Sequence, residues 1–224
     1  MSQDLSTWLA RGIVAEAAPP VRSRAGRRPG SPDTRSAITA AAKQEFSALG
    51  FDKTSMRAVA KAAGVDPALV HHYFSSKDDL FLASLDVPFD PRLVIPELTA
   101  DGVDGMGARI ATRFLAVWDD ELNRTPLVAL VRSAMTSEAA ADLLRTGLVR
   151  LILAPIAASI GSEDAELRAQ GVASQLLGLV MTRYVLGLEP LASTTSSDLA
   201  LRLGPVLQCH IDGMSVLTRQ RENL

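Results

Sequence analysis

Apolar residues along this chain recur at three- and four-residue intervals, the period of one helix face, and no strand-rich stretch interrupts them. Ile38, Ala41, Ala42, Phe46 and Leu49 form the first stripe. Ser31 is placed to cap that helix, with Pro32 in its first turn, Asp33 near the positive end of the dipole, and Gly50 as its stop. A second helix is predicted from Thr54, read as its N-cap, to Gly64, with Met56, Val59, Ala62 and Ala63 inward. A third starts at Asp66, with Pro67 behind it, and runs to about Phe74 with Leu69 and Val70 inward. A fourth starts at Ser76, which has capping-box spacing to Asp79, and carries Leu80, Phe81 and Leu85.

After Pro88 the pattern lengthens. Pro88, Pro91 and Pro96 mark a connector and residues 101–107 a Gly/Asp loop. Helices are then predicted over about 106–122, 125–136, 138–159, 163–188 and 196–213, with Pro155 and Pro205 expected to kink or shorten two of them. Three regions result: a flexible basic arm over 1–30, a unit of short helices over 31–86, and a larger helical unit over 87–224.

Composition agrees with an all-α fold. Ala (33) and Leu (31) dominate the 224 residues, and only 4% are aromatic. The single cysteine, Cys209, cannot close an intramolecular disulfide, which suits a reducing cytoplasm. The longest charge-free stretches, 151–162 and 169–182, are shorter than the roughly 18–20 apolar residues that span a bilayer, so no membrane partner is expected. Asp4, Arg11 and Glu16 break up the N-terminal apolar residues and argue against a signal peptide.

The net charge of -2 hides a division. Residues 22–77 hold ten basic side chains against four acids, a local +6, while 78–224 carry 12 basic and 19 acidic groups, a local -7. A positive segment on an acidic body points to a polyanion as the partner of that segment. The second and third predicted helices, joined by the tight Gly64-Val65 turn, also describe a helix-turn-helix, whose second helix enters the major groove of DNA.

The matching residues lie within 38–81: Phe46, the Gly50-Phe51 turn, Thr54-Ser55 opening a helix, Val59-Ala60, the Ala63-Gly64-Val65 turn, His72-Tyr73-Phe74 and Ser76-Lys77. With these at fixed spacing, the stretch resembles the DNA-binding domain of the TetR family of transcriptional regulators. The resemblance implies an N-terminal three-helix DNA-binding domain, and the longer helices fit the family's ligand-binding and dimerisation domain in length and order. It implies that the Thr54 hydroxyl and amide face a phosphate, although an N-cap role explains Thr54 equally well. His72 and Tyr73 would lie against the DNA backbone, and Lys77 would hold a phosphate. Ser55 and Arg57, at the head of the second helix, join this set. The exposed face of the third helix, Asp66, Pro67, Ala68 and His71, would meet the bases. Two departures stand out: Asp66-Pro67 replaces the usual polar pair, with Asp66 best read as a cap, and His71 replaces the usual tyrosine. The arm residues Arg24, Arg27 and Arg28, in a Gly/Pro setting, suit an A·T-rich minor groove.

In the larger unit no catalytic constellation, metal-ligand spacing or phosphate loop is found, so neither an enzyme nor a cofactor is expected. The helix over 163–188 is nearly all apolar from Val172 onward and carries Gly171 and Gly178 seven apart, so it must be buried or covered by a partner. By resemblance it forms a four-helix bundle with the last helix and their two-fold mates. Gly171, Gly178, Leu179, Leu186, Leu203 and Leu207 are the candidates for that interface. Polar side chains set in apolar helices, Arg113, Trp118, Gln175, Arg183 and Tyr184, are candidates to line the site of a small, largely apolar effector. The expected protein is a ligand-responsive, dimeric repressor. The competing reading is a helical small-molecule-binding protein whose helix-turn-helix no longer reads specific DNA.

Overall fold

Gly50 decides how the chain enters its fold. Helix α1 (Pro32–Lys53) is interrupted there by φ 76° and ψ 170°, a backbone open to glycine and resisted by a Cβ. The break turns Phe51 back, so that it stacks 5.7 Å from Phe46 and meets Phe81 edge-on at 5.1 Å. The computed structural model describes residues 32–213; the expected Ser31 cap and the arm residues Arg24, Arg27 and Arg28 lie outside them.

Helices α2 (Met56–Ala63), α3 (Pro67–Tyr73) and α4 (Lys77–Leu85) follow. Each start has a side-chain cap: Ser55 Oγ accepts from Ala58 N, Asp66 Oδ1 from Ala68 N, and Ser76 Oγ from Asp79 N. Gly64, at φ 65°, ends α2 and makes the tight turn into α3. Ile38, Ala42, Phe46, Val59, Val70, Phe74, Leu80 and Phe81 are buried together as the core of this head.

The rest is also helical, and the described residues contain no strand. The body comprises α5 (Pro91–Thr99), α6 (Met106–Asp119), α7 (Glu121–Thr136), α8 (Glu138–Leu148), α9 (Ala154–Ile160), α10 (Ala165–Leu179) and α11 (Ser196–Asp212). Two π-helical segments, Val149–Leu153 and Val180–Val185, follow α8 and α10.

Three features differ from the pattern. The proline-rich stretch after Pro88 holds α5, because Asp90 caps Arg92 N at 2.9 Å, Pro91 sits where its missing N–H is harmless, and Val94 and Ile95 are buried. Helix α7 begins well before residue 125, capped by Asp120, with Pro126 inside it. Pro155 does not end the helix, which continues to Ile160. It lacks an N–H for the Leu151 carbonyl, and the helix widens just before it, with Ala154 N bonding Val149 O.

Two packing features join the parts. Helices α6 and α11 cross backbone to backbone at Gly107 and Gly204. Helix α8 and the π-helical segment after it lie against the head: Leu143 of the first and Leu151 of the second belong to the head's core, and Leu85 nests over Gly147. The continuous run Glu138–Ile160, with mean hydropathy 1.6, is among the described residues the one helix long and apolar enough to cross a membrane. It is longer than any charge-free stretch of the sequence because Asp142, Arg145 and Arg150 lie within it. In the fold its Leu143, Leu151, Leu153, Ile156 and Ala157 are packed inside the protein.

Candidate functional site

Helix α3 is short, and its capping sets what it presents. With Val70 and Phe74 buried in the head, Asp66, Pro67, Ala68, His71 and His72 are left exposed. The carboxylate of Asp66 is engaged as the cap, 2.7 Å from Ala68 N. Tyr73 is half-buried, with the His72 ring edge-on at 5.2 Å. Ser55 and Arg57 are exposed at the start of α2. Lys77, the first residue of α4, donates to the Asp52 carbonyl at 3.2 Å and has its ammonium 4.3 Å from the Phe51 ring centroid.

Thr54 departs from its expected role. Ser55 is the cap of α2, and Thr54 is only 2% exposed. Its hydroxyl lies 2.8 Å from Gly50 O and 3.1 Å from Glu45 O, and its amide donates to Phe51 O at 3.3 Å. Hydroxyl and amide are both used inside the chain, tying α2 to the end of α1, and neither faces a phosphate.

In the body, three of the five effector candidates come together. The Trp118 ring stacks 5.4 Å from Tyr184, and Arg183 lies over Tyr184 on the adjoining π-helical segment. Asp119, absent from the candidates, organises them. It accepts from Tyr184 Oη at 2.8 Å, from Arg183 Nη2 at 3.3 Å and from the Ser196 hydroxyl. Arg183 also donates to Leu191 O at 2.6 Å and Thr194 O at 2.8 Å, pinning the loop before α11. Burial pushes the Asp119 carboxyl up, but the Ser196 and Tyr184 hydrogen bonds and the Arg183 charge outweigh it and hold it below the usual range. Burial, then the Asp119 carboxylate, pushes the Tyr184 phenol up. One signal could have found Asp119: an anion on the last turn of α6 opposes the helix dipole and needs a counterion. Arg113 and Gln175 are exposed apart from this cluster. Two grooves of about 620 and 630 Å³ are lined by other residues, one beside the α9–α10 turn and one between Tyr73, Phe74 and Arg92.

The interface candidates separate by face. Leu207 is 0% exposed and belongs to the core that α11 makes with α6, so it cannot meet a partner. Gly171 admits the chain's own α11, since a Cβ there would stand 2.6 Å from His210 Nδ1. Leu203 packs partly against the same core, and Leu179 is half-buried. Gly178 has nothing within 4 Å of a Cβ position, and Leu186 is exposed. Leu177 (52% exposed), Leu201 (76%) and Val206 (43%), none of them among the candidates, are also uncovered on α10 and α11.

Residues 38–84 match the family described as "Bacterial regulatory proteins, tetR family", and residues 104–211 the one described as "Tetracyclin repressor-like, C-terminal domain". The chain is 30% identical over 161 residues to the HTH-type transcriptional regulator BetI of Rhizobium meliloti (strain 1021), covering 66% of this chain and 76% of that protein. It is 39% identical to a TetR-family regulator of Streptomyces coelicolor A3 of solved structure, covering 84% of this chain and 99% of that one, with a TM-score of 0.45. A transcriptional regulator from Saccharomonospora viridis, solved in complex with choline, is 17% identical, covering 80% and 97% of the two chains with a TM-score of 0.43.

Proposed function

The chain belongs to the TetR family of bacterial transcriptional regulators, and from that membership we propose a cytoplasmic, dimeric repressor that binds a palindromic operator and is released by a small, largely apolar effector. The family is one of DNA-binding regulators, not of enzymes. The observation that carries the reading is α3, which sets Pro67, Ala68, His71 and His72 outward on a capped helix after the Gly64 turn. Ser55, Arg57, His72, Tyr73 and Lys77 supply donors for phosphates around it, with the arm residues Arg24, Arg27 and Arg28 reaching the minor groove. Little base-reading chemistry remains on α3, so thymine-methyl contact and DNA shape carry much of the specificity.

Dimerisation is supported by the uncovered Leu177, Leu186, Leu201 and Val206 and by the open backbone at Gly178. A two-fold pair would present two copies of α3 to half-sites about one DNA turn apart. Effector release then requires a molecule that binds one spacing of the two heads better than another.

The test is selection from a random duplex pool with the full chain. An enriched palindrome is expected, with binding that falls steeply as salt rises. No enrichment from a folded dimer would favour the reading in which the helix-turn-helix no longer recognises specific DNA.

A further inference from the structure

Head and body meet at a cation that plays no part in the roles above. Arg150 stands in the π-helical segment Val149–Leu153, its guanidinium carbon 3.8 Å from the centroid of the Phe51 ring. The Lys77 ammonium is 4.3 Å from the same centroid. Arg150 also faces two carboxylates, those of Asp78 and Asp52. Its Nη2 lies 3.4 Å from Asp78 Oδ1 and its Nη1 3.9 Å from Asp52 Oδ1. Asp78 follows Lys77 directly, and Asp52 supplies the carbonyl to which Lys77 donates.

We infer that Arg150 is a positioning residue for DNA binding, a cation lent by the body that neutralises Asp52 and Asp78 and shares the Phe51 ring, leaving the charge of Lys77 for a phosphate. Without it, the Asp52 and Asp78 carboxylates lose the cation they pair with. They draw the ammonium onto themselves and repel an approaching phosphate, so both effects weaken binding. The Asp52 side chain is almost wholly in water at 93% exposure, and Arg150 and Asp78 are about half exposed, so the effect is modest, about two- to fivefold in Kd. The inference rests on Lys77 contacting a phosphate.

The experiment measures anisotropy of a labelled random-sequence 30-base-pair duplex with the full chain at low salt. It compares wild type, Arg150→Met, Lys77→Met, the double variant, and Arg150→Met with Asp78→Asn. Each single variant is expected to weaken binding, the double to bind no worse than Lys77→Met, and Asp78→Asn to restore much of what Arg150→Met loses. Wild-type affinity in Arg150→Met, or a double variant that loses the product of the two single effects, overturns the inference while leaving Lys77 as a phosphate contact. Unchanged affinity in Lys77→Met overturns that contact and the inference with it. If Arg150→Met does not fold by circular dichroism, Arg150→Gln takes its place in the cycle.

Discussion

A Cβ on Gly107 would stand 2.4 Å from the carbonyl oxygen of Gly204, so α6 and α11 touch through their backbones. Gln208 locks the crossing: its Oε1 accepts from Gly107 N at 2.9 Å, and its Nε2 donates to Val103 O at 3.0 Å and Asp212 Oδ1 at 2.7 Å. Gly107→Ala should therefore force the helices apart at a cost of about 1–3 kcal/mol, or roughly 2–12 °C in Tm. A thermal melt within a degree of wild type would mean the crossing is looser than these distances.

Leu201 and Leu207 lie on the same helix and should respond in opposite ways. Leu201→Glu combined with Leu177→Glu is expected to leave the fold intact and shift the protein to monomer in sedimentation velocity at micromolar concentration. Leu207→Glu should fail to fold, because it places a charge in a fully buried site. A double variant that still sediments as a dimer would move the interface off this surface.

For Thr54, stability and DNA binding should come apart. Thr54→Val removes the hydroxyl that serves Gly50 O and Glu45 O, and should cost about 1–2 kcal/mol in urea unfolding. The slope of log affinity against log salt should stay as in wild type. A slope reduced by about one would return Thr54 to the phosphate contacts.

Acid should act through Asp119. Its folded pKa lies below the ordinary 3.8, so its contribution is fully present above that value and is lost as pH falls through the lower folded one. Asp79 and Asp90 are also lowered, chiefly by hydrogen bonds from Arg92, so acid acts on them as well. The informative quantity is thus the difference between wild type and Asp119→Asn. At pH 7 the variant should lose roughly 2–3 kcal/mol, because it leaves Arg183, whose side chain is 9% exposed, without its counterion. Below pH 4 the gap should narrow. A gap in unfolding free energy that is constant from pH 7 to pH 3 would remove the charge from the account.

The head was legible because its punctuation is chemically specific. Gly50 and Gly64 take backbone angles that favour glycine, and Asp66 and Ser76 cap where their side chains reach the right amide. The one-residue error at Thr54 arose because two adjacent hydroxyls can each cap, and packing against α1 chose Ser55. In the body, prolines read as breakers, yet Pro91 behind the Asp90 cap starts a helix. The apolar residues spread over α11 did not by themselves show which of its faces meets α6. That choice follows from the close approach at Gly204, a property of two helices rather than of either pattern. Arg183 and Tyr184 stood out as polar groups in apolar surroundings, but their partner Asp119 is 64 and 65 residues away. The π-helical segments depend on backbone register, which side-chain periodicity does not record.

Leu143 and Leu151 close the core of a head to which they do not belong in sequence, and Gly147 makes room for Leu85 between them. The reading head is therefore not a portable cassette. Cut out at residue 86, it would carry an apolar scar where α8 had lain, and transplanting its DNA preference to another regulator means transplanting the α8 shelf as well.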